Sequence, residues 1–278
     1  MAARPRVSSL VIPLLEQGFE GQVCGVFASG LDITAGGGKL LYLGSDTKPL
    51  SCIGAQLPAS WVVAILGAVK AEDRIFAHQM KLVFSRNGRP LLVLDLGEAE
   101  VSNLSLEAAL SPEAVERLSS ALSTVQLEDG LGLNNDTALG CVVEDLTQFA
   151  QGRRTDILAA ISWLIGRGLG LTPTGDDILC GFGAGLAAAG KHKRSERFLI
   201  ELQAARARRH TTAVSEAYLD AMVEGAVNEG IHSLLASAES GQDLIRPIER
   251  ARDYGHTSGT DMLFGLMLGL GEPALIHA

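Results

Sequence analysis

The sequence predicts an α+β fold in two parts, a β-rich N-terminal domain over residues 1–105 and a Gly/Ala-rich α-helical domain over 106–278. Three observations carry this. Short Val-, Phe-, Tyr- and Leu-bearing runs bounded by glycine crowd the first hundred residues. Apolar spacings of three and four take over after about residue 103. An [ST]-G-x-D helix start followed by a small-residue apolar stretch then occurs twice, at 172–185 (TPTGDDILCGFGAG) and 256–269 (HTSGTDMLFGLMLG).

In chain order, residues 8–17 form a short helical stub. GQVCGVFAS (21–29) and KLLYLGS (39–45) are strands, with AGGGK (35–39) a loop between them. PASWVVAILGAVK (58–70) is a short helix or a buried strand, since its apolar run has no clean period, and Trp61 is placed in the core. KLVFSRNGRPLLVLDL (81–96) is a hairpin about Asn87-Gly88, residues that accept the positive φ a tight turn needs. Helices follow at 111–123, opened by Ser-Pro-Glu, and at 155–168, capped by Thr155 and ended by glycine. Further helices fall at 175–189, 195–209, 212–224, 228–238 and 259–270, while Pro247 interrupts 243–255.

Composition narrows the function. A net charge of −9 argues against nucleic acid as the main partner. The basic runs KHKRSER (191–197) and RARRH (206–210) read as solvated helix ends and a connection. The four cysteines (24, 52, 141 and 180) show neither zinc-ligand nor disulfide spacing. The first residues lack the pattern of a signal peptide, and the longest apolar stretch, 178–190, is too short for a bilayer. The expectation is a cytoplasmic protein without a membrane or nucleic-acid partner.

The repeat carries the functional reading. With Gly175 aligned on Gly259, Asp177 falls on Asp261, Gly181 on Gly265, Gly185 on Gly269 and Thr174 on Ser258. If Thr174 and Ser258 are N-caps, Asp177 and Asp261 sit at the third helical position and reach back to the free amides of the first turn. Capping is worth about 0.5–2 kcal/mol, so the motifs are accounted for by architecture alone. Three details point further: a bare glycine just after each cap, glycine pairs at a spacing of four suited to close helix packing, and a duplication able to bring both helix N-termini to one concavity.

Such a pocket would gather amides, hydroxyls and carboxylates. It suits a small carboxylate or amide metabolite, or a hard cation such as Mg²⁺, although no cofactor is firmly implied. The ligand-binding candidates are Thr172, Thr174, Gly175, Asp176, Asp177, Thr257, Ser258, Gly259 and Asp261. Thr212 and Ser215 join them from RRHTTAVSEAYLDAMVEG (208–225), where Thr211 or Thr212 starts a helix and Ser215 and Tyr218 share a face. Asp177, Asp261 and His256 are the candidates for acid/base work, though no catalytic group is assigned. No P-loop, H-E-x-x-H or legible Ser-His-Asp order is present, and GRGLGLTPTG follows a helix, unlike a dinucleotide-binding turn.

GLGLTPTGDDILCGF, TTAVSEAYLDAMVEG and GHTSGTDMLFGL, in that order, resemble the signature segments of the oxamate carbamoyltransferase AllH-type subunit family. GVFASGLDI (25–33) is similar, more weakly, to its N-terminal strand motif. The resemblance implies a subunit that works with larger carbamoyltransferase subunits in purine or allantoin nitrogen catabolism. The implied reaction transfers a carbamoyl group between oxamate and phosphate, linked to carbamoyl phosphate. Thr174 replaces an expected Ser and keeps the hydroxyl, whereas Asp32 stands where the resemblance leads one to expect Asn. Two other readings stay open: a structural or regulatory subunit without a reacting group, and a stand-alone metal-dependent enzyme.

Overall fold

The computed structural model describes residues 4–106 and 108–274 and divides the chain into two compact units after Leu104. The first is β-rich and the second helical.

The N-terminal unit is one mixed sheet of nine strands: β1 (Arg6–Ser8), β2 (Phe19–Phe27), β3 (Gly30–Thr34), β4 (Leu40–Ser45), β5 (Gly54–Leu57), β6 (Arg74–His78), β7 (Lys81–Arg86), β8 (Arg89–Asp95) and β9 (Glu100–Ser102). Their spatial order is β8-β7-β6-β2-β3-β4-β5-β1-β9. All pairs are antiparallel except β4/β5 and β1/β9. Among the described residues the unit also holds two α-helices, α1 (Ile12–Gln17) and α2 (Ala59–Ala68), and two short 3-10 turns. The β7–β8 hairpin turns on Asn87 (φ 51°) and Gly88 (φ 73°), two consecutive positive φ values as a two-residue primed turn demands. Alternation sends Val23, Leu31, Ile33, Leu41, Leu43, Ala55 and Leu57 to the core face, with Val62 and Ile65 of α2 in the same core. Residues 58–70 are therefore helical. Trp61 is 42% exposed rather than core, because Val62 and Ile65 occupy the inward stripe and Trp61 lies off it.

The helical unit holds α3 (Pro112–Ser123), α4 (Thr137–Ala150), α5 (Leu158–Leu164), α6 (Thr174–Ala188), α7 (His192–Arg206), α8 (Ala213–Val223), α9 (Glu229–Glu239), α10 (Ile245–Arg252) and α11 (Ser258–Leu270). Ser111 caps α3 by accepting from the Ala114 amide, with Pro112 at the first helical position. Helix α5 is shorter than 155–168. Its first amides are taken by carboxylates and not by Thr155: Asp156 accepts from Leu158 N–H at 3.0 Å and Glu201 from Ile157 N–H at 2.8 Å. Pro247 lies in the first turn of α10, where amides have no helical partner, so it starts that helix instead of breaking it. Lys191 is not merely a solvated helix end. Its Nζ donates to the carbonyls of Gly269 and Leu270 and closes the C-terminus of α11, and burial pushes its pKa down to about 8.

Helices α6 and α11 are buried along nearly their whole length and pack on each other through glycine. A Cβ on Gly181 would lie 1.9 Å from the Met262 carbonyl oxygen, and one on Gly265 would lie 2.1 Å from the Ile178 carbonyl oxygen. Lower down, Gly185 and Gly269 meet Cα to Cβ position at 2.8 Å in both senses. Met262 is to Gly265 as Ile178 is to Gly181, so the contacts obey a local two-fold. Because they advance together along both helices, the two run parallel. Their N-termini therefore lie at the same end.

Candidate functional site

At that end the two [ST]-G-x-D motifs meet. The helices begin one residue earlier than a Thr174 or Ser258 cap would require. Pro173 and Thr257 hold the cap positions, and neither makes a side-chain cap bond. The Pro173 carbonyl accepts from Asp176 N–H at 2.9 Å and the Thr257 carbonyl from Asp261 N–H at 2.9 Å. Thr174 and Ser258 thus become first helical residues, and Asp177 and Asp261 fourth ones. This corrects the capping geometry expected from sequence and frees both hydroxyls for contacts outside their own helix.

The bare glycines also serve a different purpose. A Cβ on Gly175 would stand 2.0 Å from the Leu164 carbonyl oxygen at the end of α5. One on Gly259 would stand 2.2 Å from that of Ala251 near the end of α10. What approaches each helix start is the end of the preceding helix. The Gly175 amide donates to Arg167 O and the Gly259 amide to Tyr254 O, both at 2.8 Å, so both donors are already engaged within the chain.

The carboxyls are the exceptions to this satisfied framework. Asp177 is 1% exposed and Asp261 0%, and each keeps one buried oxygen, Oδ2, without a hydrogen-bond partner among the described residues. Around them the motifs exchange hydroxyls: Ser258 of the second copy, with Thr172, sits at Asp177, while Thr174 of the first copy, with Thr257, sits at Asp261. Thr172 and Ser258 share a hydrogen bond of 2.9 Å. The Asp261 Oδ1 accepts from Gly132 N–H at 3.1 Å. A Cβ on Gly132 would lie 2.2 Å from Thr174 Oγ1 and 3.0 Å from Thr257 Oγ1, so the loop around Gly132 closes directly over these hydroxyls.

Burial drives the Asp177 carboxyl well above the usual carboxylate range, and the charge of Asp261 adds to the rise. Burial also raises Asp261, against the Gly132 amide and the nearby Thr257 and Thr174 hydroxyls. Among the described residues no basic side chain contributes to either shift. The arrangement is two like-signed, desolvated acceptors among hydroxyl donors. It can receive N–H groups, share protons, or take a cation that brings further oxygen ligands of its own. Among the described residues no group of three or more His, Cys, Asp and Glu side chains is placed to hold a metal.

Asp176 belongs to the framework. Its oxygens accept from Gly166 N–H at 3.0 Å and from the Thr211 hydroxyl, tying the loop after α5 to the loop before α8. Burial raises the Asp176 carboxyl, against the Thr211 hydroxyl and the Gly166 amide, and Ser215 Oγ is buried without a hydrogen-bond partner among the described residues. Thr212 caps α8 through the Ser215 amide at 3.0 Å and donates to Leu171 O. One turn on, Tyr218 and Tyr254 join hydroxyls at 2.6 Å, behind the Tyr254 carbonyl that receives the Gly259 amide. The hydroxyl face of α8 therefore supports the paired motifs. His256 is exposed on the turn before α11 and is not brought to the buried carboxyls.

Gly132 is the contact that sequence reasoning missed. Its signal was the run LEDGLGLNND (127–136), rich in loop-forming Gly, Asn and Asp immediately before α4.

Residues 164–270 match the family of the oxamate carbamoyltransferase subunit AllH. The AllH segment opens on Leu164, whose carbonyl Gly175 admits, and closes on Leu270, the last residue of α11. It contains both motif copies and the α8 face between them, whereas Gly132 lies before it. No solved structure matches the chain. No helix among the described residues is long and apolar enough to cross a membrane.

Proposed function

We propose that this chain serves as the AllH-type subunit of a carbamoyltransferase and binds an amide-bearing carboxylate, of which oxamate is the type, at the paired motifs. The carrying observation is the pair of equivalent aspartates, each with a buried and unpartnered oxygen among hydroxyls. A planar –C(O)NH₂ group offers two N–H donors to such oxygens. Its carboxylate end is received by hydroxyl donors from Thr172, Thr174, Thr257 and Ser258. Held this way, the amide nitrogen attacks the carbonyl carbon of carbamoyl phosphate: the C–N bond forms, the bond from that carbon to the phosphate oxygen breaks, phosphate leaves, and Asp177 or Asp261 takes the nitrogen's proton. In reverse, phosphate attacks the carbamoyl carbon of the N-carbamoylated amide, and the aspartate returns the proton to the leaving nitrogen. A raised carboxyl pKa suits that task. Larger carbamoyltransferase subunits are the expected partners.

The engaged amides of Gly175 and Gly259 favour a second reading, in which the motifs lock helices together and the chain is a structural subunit. Carbamoyl phosphate formation by the assembled complex decides between them. Asp177→Asn and Asp261→Asn are expected to lower turnover at least 100-fold and to weaken oxamate binding. Activity and oxamate affinity within twofold of wild type in both variants would leave the structural reading standing.

A further inference from the structure

The N-terminal unit carries a buried carboxylate of its own. Asp32 lies on β3, and its neighbours follow from register: Gly25 of β2 on one side, Tyr42 of β4 on the other. Leu31 and Ile33, its chain neighbours, point to the core, so Asp32 stands on the opposite face. It is 4% exposed, and among the described residues no hydrogen bond or ion pair reaches its carboxylate. Burial alone pushes its pKa up to about 6.

Glycines floor this face. Gly54 faces Tyr42 across the β4–β5 pair, and Gly30 and Gly44 face each other across β3 and β4. Two aromatic rings occupy the space the glycines leave. Tyr42 lies over Gly44 and Gly30, where added Cβ atoms would stand 2.5 Å from its Cε1 and 2.7 Å from its hydroxyl. Phe27 folds back over Gly25: a Cβ there would be 2.6 Å from Phe27 Cζ and 3.6 Å from Asp32 Oδ2. Carboxylate and ring edge thus converge on one point. Phe27 remains 37% exposed, so the ring edge beside the carboxylate reaches the surface. The β-bulge between Val23 and Gly25 puts Gly25 and Phe27 on this face; without the extra residue, both would point the other way.

A desolvated carboxylate flanked by aromatic rings is the chemistry that receives a planar organic cation. Two N–H donors bond the carboxylate side by side, and the delocalised face stacks on the ring. We propose that Asp32, Phe27 and Tyr42 form a binding site for a guanidinium group, separate from the paired aspartates. Its source is either a free small molecule or an arginine side chain of a partner protein.

The test uses the full chain with methylguanidinium and N-acetyl-arginine methylamide as probes, followed by ring-proton shifts of labelled phenylalanine. The expected result is saturable binding that moves the Phe27 resonances. Asp32→Asn and Phe27→Ala should each weaken it at least tenfold, and tetramethylammonium, which has no N–H, should bind at least tenfold more weakly. Tighter binding of the arginine probe assigns the site to a partner side chain, and tighter binding of methylguanidinium to a free metabolite. Absence of saturable binding, or equal binding by Asp32→Asn, overturns the proposal. A loss of thermal stability in Asp32→Asn at pH 8 would also overturn it, because it would show that the carboxylate is already satisfied within the fold.

Discussion

Replacing Asp177 by Asn separates a capping role from a ligand-receiving one, because the two predict opposite changes in stability. The substitution keeps the side chain's shape and leaves an acceptor for the Ser258 and Thr172 hydroxyls. It removes a charge that is 1% exposed, has an unpartnered Oδ2 and feels the negative charge of Asp261. An unpaired buried charge costs more than a neutral amide of the same shape, by about 1–3 kcal/mol. Relief of that order in a unit of this size raises Tm by about 2–4 °C for each kcal/mol. Asp177→Asn should therefore melt higher than wild type at pH 8, and the assembled complex should lose oxamate-dependent turnover. Differential scanning calorimetry and single-turnover carbamoyl transfer read the two effects separately. A lower Tm at pH 8 with unchanged turnover would refute the reasoning, because it would mean the carboxylate stabilises its own helix as a first-turn charge and nothing more.

Two further outcomes follow from the packing and the charges. Gly181→Ala and Gly265→Ala should each destabilise the helical unit by about 1–3 kcal/mol, since the new Cβ meets backbone carbonyls at 1.9 and 2.1 Å. Gly67→Ala in α2, where nothing lies within 4 Å, should stabilise by about 0.5–1 kcal/mol, and urea unfolding of the three variants tests the contrast. Asp32 has a pKa raised from 3.8 to about 6, so the folded state holds a proton that the unfolded chain has released between those values. Its contribution is present below about pH 4 and is lost as pH rises through 6, a change of about 3 kcal/mol. Asp32→Asn should abolish that part of the slope in a stability–pH profile measured by denaturant unfolding.

What the sequence disclosed was set by how local each signal is. The Asn87-Gly88 hairpin and the Ser111-Pro112 helix start are dictated by conformations that few residues accept, and both stand where those residues lie. Strands β1, β5, β6 and β9 have only three to five residues each, too few for alternation to declare itself, and their pairing depends on distant partners. Helix α4 escaped notice despite the Asp136 cap, because its loop-rich approach masks the start. At the site, the matched glycines pointed to close packing, since a glycine pair inside an apolar helix needs an offsetting contact. The helix start itself was misplaced by one residue. Pro173 carries no side-chain acceptor, so nothing in its type signals that its carbonyl opens the helix. The Gly132 contact is a backbone amide 129 residues from its acceptor, and no side-chain pattern encodes it.

The exchange of hydroxyls between copies decides what the duplication is for. Two independently capped helices would pair each aspartate with the hydroxyl of its own motif. Here Ser258 joins Thr172 at Asp177 and Thr174 joins Thr257 at Asp261, so each carboxyl draws on hydroxyls of both copies. The parallel packing makes this necessary. Two helix N-termini side by side bring both carboxyls into one buried space, where burial opposes the ionisation of each and hydroxyls from both copies are within reach. Double-mutant cycles give this a measurable form. Asp177→Asn with Ser258→Ala, and Asp261→Asn with Thr174→Ala, should show coupling of about 0.5–3 kcal/mol in chemical denaturation. The same-copy pairs, Asp177 with Thr174 and Asp261 with Ser258, should couple several-fold less. Stronger coupling within a copy than between copies would reduce the motifs to two separate helix starts. Coupling between copies makes the pair one unit, and a ligand that satisfies either carboxyl must then be felt by both.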